Sequence, residues 1–268
     1  MRIYAKRSLC LFLISVFLFL CGCEPERVDV IHKKLKSADD IVPLDSILVK
    51  PFDYTNVVSL DNFPVEIKKQ KFVDMLLPAI LVAKIHTADK LQKLEEFSSK
   101  DSAEISMQDE RFIRDLMLEY RADNLRQLKR KLNTPPNSIV LGQAALESGW
   151  GTSRFFLEAN NVFGIWSFDK EEPRVQARIL RGDKAVYLKK YDFLSESIED
   201  YFKTIARGPY RDFRIENAES ANPYKLIPLL RRYSENDSIY EMRLKYVIRF
   251  NDLDQYDEYR IDPEYLNN

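Results

Sequence analysis

The apolar positions of the chain change period several times, and each change marks an element. Leu9 to Cys21 is an almost unbroken apolar run, interrupted only by Ser15. Phe72, Met75, Leu76, Ile80, Leu81 and Ala83, continued by Leu91, Leu94 and Phe97, recur at spacings near three and four. That spacing predicts a long amphipathic helix, with Pro78 as a point of kinking. A polar run from Ser98 to Ser106 breaks the pattern, and Phe112, Ile113, Leu116, Met117, Tyr120 and Leu125 restart it as a second helix packed on the first. Thr134-Pro135-Pro136 stops that helix and starts a third, because proline is tolerated in a first helical turn. The third helix, Ser138 to Glu147, is closed by Gly149 and Gly151. Beyond Phe163 the period becomes two: Val175, Ala177 and Ile179 on one side of Arg181-Gly182-Asp183-Lys184, Tyr187, Lys189 and Tyr191 on the other, which predicts a hairpin. Helical spacing returns at Ile198, Tyr201, Phe202 and Ile205, at Leu226, Leu229 and Leu230, and at Met242, Tyr246 and Ile248. Between Glu24 and about Pro64 no period holds, and the segment reads as a tether with a few ordered turns. The expected architecture is mainly helical with one small β-hairpin lobe, and a cleft between the two suits a polymer.

Composition narrows the chemistry. Hydrophobic residues make up 45% of the 268, enough for a packed core, while 41 basic against 42 acidic residues give no global reason to expect nucleic acid. The only histidines, His32 and His86, lie in the first third, which disfavours a histidine triad or a His-rich metal site downstream. All three cysteines, Cys10, Cys21 and Cys23, fall within the first 23 residues, so no internal disulfide framework is expected. There is no Gly-rich phosphate loop and no acidic spacing of a calcium loop, so neither cofactor nor metal is expected. After Gly22 the remaining six glycines and both tryptophans lie between Gly142 and Gly208. Carboxylate chemistry in that stretch is what remains.

The N-terminus reads as an address. Arg2, Lys6 and Arg7 precede the apolar run, the order of a signal peptide, and the run is shorter than the ~20 residues that span a bilayer. Leu20-Cys21-Gly22-Cys23 resembles a bacterial lipobox, which implies removal of residues 1–22 and lipidation of Cys23; the alternatives are an ordinary secretory signal or an uncleaved anchor. Glu24-Pro25-Glu26 lacks the aspartate associated with inner-membrane retention, so the outer membrane is the expected location. Processing removes three basic residues and no acid, moving the net charge from -1 to -4, so membrane attachment would rest on acyl chains.

The strongest site signal is Gln143-Ala144-Ala145-Leu146-Glu147-Ser148-Gly149-Trp150-Gly151. Gln143 and Glu147, four apart, share a helical face. A carboxyl against an apolar wall such as Trp150 keeps its proton to higher pH and can act as a general acid. A lone glutamate at a helix end is ordinarily a solvated surface residue; here its neighbours argue otherwise. This stretch, with Asn160-Asn161-Val162-Phe163-Gly164-Ile165, resembles the signature of peptidoglycan β-N-acetylglucosaminidases of glycoside hydrolase family 73. Trp166 after Phe-Gly-Ile, Tyr233-Ser234-Glu235 and Arg249-Phe250-Asn251 are similar to its Bax-type branch. The resemblance covers about Phe112 to Leu253, with a fainter echo from Ile67.

The resemblance implies a lysozyme-like α+β fold, a helical lobe and a small hairpin lobe around a groove, and hydrolysis of the β-1,4 bond following N-acetylglucosamine. It implies Glu147 as general acid, Tyr233 as the tyrosine on the far wall, and Trp150, Asn161 and Phe163 as substrate-binding positions on the groove floor. The bland alternative for Tyr233 is a half-buried core aromatic, and for Trp150, Asn161 and Phe163 packing of the Gly-rich turn. The first hairpin strand, Arg174 to Leu180, lacks the second carboxylate that many family members carry there, and Tyr187 aligns where the branch often has a glutamate. The nearest acids are Asp169, Glu171, Glu172 and Asp183; one of them, the substrate's acetamido group, or neither in a weak or inactive enzyme are the open choices. The expected order is signal 1–22, tether 23–64, helical segment 65–110, glucosaminidase-like domain 111–255 and tail 256–268. The expected function is that of a lipid-anchored endo-glucosaminidase acting on peptidoglycan, against a muramidase or lytic transglycosylase on the same fold, or a non-catalytic peptidoglycan-binding lipoprotein.

Overall fold

A computed structural model describes residues 27–181, 184–234 and 237–267. The signal segment, Cys23, Asp183 and Glu235 lie outside the described residues. Strands β1 (Ile31–Lys33), β2 (Leu48–Val49) and β3 (Phe52–Tyr54) come first. Helices α1 (Val65–Ser99), α2 (Met107–Tyr120), α3 (Leu125–Lys131), α4 (Asn137–Ser148) and α5 (Arg154–Ala159) follow. A hairpin of β4 (Arg174–Arg181) and β5 (Lys184–Lys189) precedes α6 (Leu194–Arg207), α7 (Arg211–Glu219), α8 (Pro223–Leu226) and α9 (Asp237–Phe250), and β6 (Arg260–Ile261) lies near the end. No helix among the described residues is long and apolar enough to cross a membrane.

The expected long helix is α1, and its middle is buried on every side: Phe72 through Ala83 are all inside. A helix apolar all round belongs in the centre of a core, and α1 packs against α4, α6 and β3. It runs through Pro78 without interruption. The same core takes in α4, α6, α9 and the loop around Phe163, so residues 65–110 do not form a segment apart. The outer half of α1 joins α2 and α3 in a second, smaller cluster of Leu94, Ile113, Leu116, Tyr120, Leu128 and Leu132.

Three expectations need correction. The expected second helix is two: Arg121 is left-handed (φ 49°), and Asn124 caps the nitrogen of Gln127 at 2.9 Å, so Leu125 opens α3. Residues 27–64 are not a loose tether. Val28, Leu35, Ile41, Val49, Tyr54, Val57 and Leu60 are buried in the main core, and Asp53 accepts hydrogen bonds from the backbone and hydroxyl of Ser195 at the start of α6. Residues 256–267 are not a tail. Asp257 accepts from the nitrogen (2.7 Å) and hydroxyl (2.8 Å) of Ser138 and so caps α4, which Pro136 cannot do with its own side chain. The two segments are also paired with each other, β2 lying parallel to β6 and Val28 bridging Leu266, while β1 lies parallel to β3 within the first segment.

The hairpin is antiparallel, with Arg174 opposite Lys189 and Gln176 opposite Tyr187, and a register shift between Gln176 and Leu180. Residues 165–167 run along its other edge, where Ser167 donates to the Tyr187 carbonyl (2.8 Å) and Lys189 to that of Ile165 (3.0 Å).

Candidate active site

Helix α4 ends where the chain turns sharply. Gly149, Trp150 and Gly151 all take positive φ (61°, 58° and 81°). Such a run suits glycine, and a Cβ on Gly151 would meet Phe156 and Phe72 at 3.1 Å. Trp150 carries the strain of a bulky residue there, and the surroundings hold it: its ring is edge-on to Phe72 (5.6 Å between centroids) and lies under the Lys69 ammonium (5.6 Å). Beneath the turn, buried Ser148 donates to the Ala144 carbonyl (2.6 Å) and accepts from the Gly151 nitrogen (3.0 Å). Glu147 therefore sits at the end of a fixed helix.

As a residue Glu147 is exposed, yet the protein packed around its carboxyl strips away water and raises its pKa above the usual carboxylate range. A hydrogen bond with the Tyr240 hydroxyl pulls the other way. Tyr240 is buried on α9 and accepts from Nε2 of Gln143 at 2.7 Å. The other end of that amide, Oε1, accepts from the Tyr201 hydroxyl at 2.6 Å. Tyr233 stacks on Tyr240 (5.5 Å) and lies 6.3 Å from both Tyr201 and Tyr210. Burial, and then neighbouring groups including Glu147, raise the pKa of all four tyrosines, so they keep their protons.

The expected site residues thus divide. Glu147 and Tyr233 belong to one constellation, joined through Tyr240. The ring contacts of Trp150 are to Phe72 and Lys69 of α1, and the aromatic groups coupled to Glu147 are tyrosines instead. Asn161 is 1% exposed and ties the loop to the hairpin. Its Nδ2 donates to the carbonyls of Ile165 (2.9 Å) and Lys189 (2.8 Å), and its Oδ1 accepts from the Ile165 nitrogen (2.8 Å). Its donors are spent, which leaves it no hand for a ligand. Phe163 is buried and stacks on Tyr201 at 4.1 Å, 15° from parallel. It reaches the site through Tyr201 and not as a sugar platform.

Sequence reasoning saw Gln143 but not its partners. Tyr201 lies 58 residues from Gln143 and Tyr240 lies 97 away; Tyr201 left only a helical spacing that any core aromatic would share, and Tyr240 belonged to no apolar set at all. Of the acids near the hairpin, Asp169 and Glu171 are exposed, the Asp169 carboxylate accepting from the Glu171 nitrogen at 2.9 Å. Glu172 is paired with Lys189 at 3.4 Å, within a network that includes Asp200 and Lys203.

Residues 122–265, more than half of the chain, match the family model described as mannosyl-glycoprotein endo-β-N-acetylglucosaminidase. The chain belongs to the glucosaminidase family. It is a glycoside hydrolase, with a mainly helical body and one small β-hairpin. Among relatives of this glucosaminidase, the exo-glucosaminidase LytG of Bacillus subtilis is 28% identical over 204 residues, 72% of this chain and 69% of that protein. The catalytic domain of the Listeria monocytogenes autolysin Auto is 22% identical, with a TM-score of 0.41, over 75% of this chain and 98% of that one. The glycoside hydrolase domain of Salmonella typhimurium FlgJ is 23% identical, with a TM-score of 0.37, over 51% and 86%.

Proposed function

We propose that the protein hydrolyses the β-1,4 bond following N-acetylglucosamine in the glycan strands of peptidoglycan, with Glu147 as the general acid. The observation that carries this reading is the family match over residues 122–265, which contains an exposed glutamate at the end of α4 that hydrogen-bonds Tyr240 and whose pKa is raised by burial of its carboxyl. Such an acid holds its proton at pH values where an ordinary glutamate has lost it. As the bond lengthens, that proton goes to the leaving oxygen, positive charge develops at the anomeric carbon, and water adds there to give a new reducing end, its released proton restoring the Glu147 acid directly or through solvent. Tyr233, stacked on Tyr240 and near enough to feel the charge of Glu147, fits the role of the tyrosine beside the acid.

The export signal and the cysteine at position 23 support a lipid-anchored form on the outer membrane, facing the wall it cuts. Labelling with a lipid precursor checks this: the wild-type protein takes up label and Cys23→Ala does not.

Glu147→Gln tests the chemistry. The amide keeps shape and polarity but has no acid proton, so release of reducing ends from peptidoglycan falls by roughly 10²–10⁴ while thermal unfolding stays near wild type. Equal activity in the two proteins removes Glu147 from the mechanism. Mass spectrometry of the products then reads the bond: N-acetylglucosamine at the new reducing end fits this reading, and N-acetylmuramic acid contradicts it.

A further inference from the structure

We propose that Tyr201, Gln143 and Tyr240 form a one-way hydrogen-bond relay that fixes which oxygen of Glu147 carries the acid proton. This rests on the reading of Glu147 as general acid and goes beyond it by assigning three positioning residues.

Gln143 is 0% exposed, so both ends of its amide must find partners inside the protein. An amide oxygen only accepts and an amide nitrogen only donates. The Tyr201 hydroxyl, 2.6 Å from Oε1, therefore gives its proton to Gln143. Nε2, 2.7 Å from the Tyr240 oxygen, gives a proton to Tyr240. Having accepted there, the Tyr240 hydroxyl has its own proton to give, and its remaining partner is the Glu147 carboxyl. The relay runs Tyr201 to Gln143 to Tyr240 to Glu147.

This direction bears on the acid. The Glu147 oxygen that accepts from Tyr240 is the carbonyl oxygen of the protonated acid, so the acidic proton resides on the other oxygen, the one turned away from the tyrosine wall. An amide turned the opposite way would spend the Tyr240 proton on Oε1. Tyr240 could then only accept from Glu147, and the acid proton would point into the wall, where no glycosidic oxygen can be. What holds the amide is Tyr201, itself fully buried and pinned by the stacked ring of Phe163 at 4.1 Å. The buried loop residue Phe163 acts at the site by fixing the first member of the relay.

The test uses the intact protein and two readouts. The first is the Glu147 carboxyl pKa, measured by carbon-13 NMR titration of glutamate-labelled protein and assigned by the resonance lost in Glu147→Gln. The second is kcat and KM against pH on purified glycan strands. Tyr240→Phe keeps the ring and removes the donor, so the pKa of Glu147 rises by about one unit. The alkaline limb of the kcat profile moves up with it, and kcat at the optimum falls roughly tenfold or more from lost orientation, with KM within about twofold. Gln143→Met fills the space without an amide and shifts both readouts in the same direction by less. The double variant is no worse than Tyr240→Phe alone. Tyr201→Phe, which removes only the first donor, gives a small shift of the same sign and covers the case in which Gln143→Met does not fold.

A folded Tyr240→Phe protein with unmoved pKa and unmoved pH limb overturns the relay, as does strict additivity of the double variant. A simple packing role would lower the unfolding temperature and leave both limbs in place. If Glu147→Gln is itself active, the acid reading has failed, and the NMR titration still reports whether the relay exists.

Discussion

Asn161 shows how a motif residue acts without touching a substrate. Two donors and one acceptor of its side chain hold the Gly164 turn to the end of β5, in a place water does not reach. Asn161→Leu abolishes all three bonds and buries backbone groups without partners, so urea unfolding is expected to show a loss of about 2–4 kcal/mol. A loss below about 0.5 kcal/mol in that experiment would remove the clamp. Glu147 stood out in sequence as a candidate because Ser-Gly-Trp-Gly follows it at a helix end and the stretch resembles the family signature. The orientation of Trp150 did not, because a positive φ redirects the side chain and residue order does not announce it. Tyr240 was illegible for a different reason: its partnership with Glu147 exists only once α9 lies on α4.

That helix pair is the element on which the site depends. Gly142 lets α9 approach α4 so closely that a Cβ there would meet Ile248 Cγ1 at 2.8 Å and Leu244 Cδ1 at 2.9 Å. Gly142→Ala forces those side chains or the whole helix to shift, a cost of about 1–3 kcal/mol. Because Tyr240 precedes Leu244 by one helical turn, the same shift weakens its hold on Glu147. Thermal unfolding is expected to fall, and the alkaline limb of the activity profile to rise in the Tyr240→Phe direction. The sign follows from the charges: losing a donor to the carboxylate disfavours the ionised form, so the acid stays protonated to higher pH. α9 also shows the limit of periodicity. Met242, Tyr246 and Ile248 were read as one apolar set, yet Met242 is 65% and Tyr246 60% exposed while Ile248 is buried, on the same face as buried Tyr240 and Leu244. The apolar spacing of α2 and α3 likewise stays in phase across Arg121, so only the Asn124 cap marked the break.

At the scale of the molecule, the segments flanking the helical body are its lid and its clasp. The two- and three-residue strands β1, β2, β3 and β6 are too short to leave a period, and their partners lie far off in sequence, which is why residues 27–64 read as a tether. Removing those residues strips seven or more buried apolar side chains from the core, each worth about 1.5–3 kcal/mol, together with the Asp53 cap of α6. That sum, about 10–20 kcal/mol, matches or exceeds the ~5–15 kcal/mol by which a domain is normally stable. A chain beginning at residue 65 is expected to be insoluble or unfolded by circular dichroism, whereas one beginning at residue 24 folds. The joined ends have a mechanical meaning as well. Asn267 donates to the Arg27 carbonyl (2.9 Å) and to the Asp29 carboxylate (2.8 Å), Asp29 donates to the Tyr265 carbonyl (2.9 Å), and the Arg27 guanidinium grips Asp89 and Gln92 on α1. A pull applied at residue 27 is thereby shared between the far end of the chain and the central helix, so an enzyme towed by its N-terminus against a taut glycan mesh would spread the load before it reached the helix that carries Glu147.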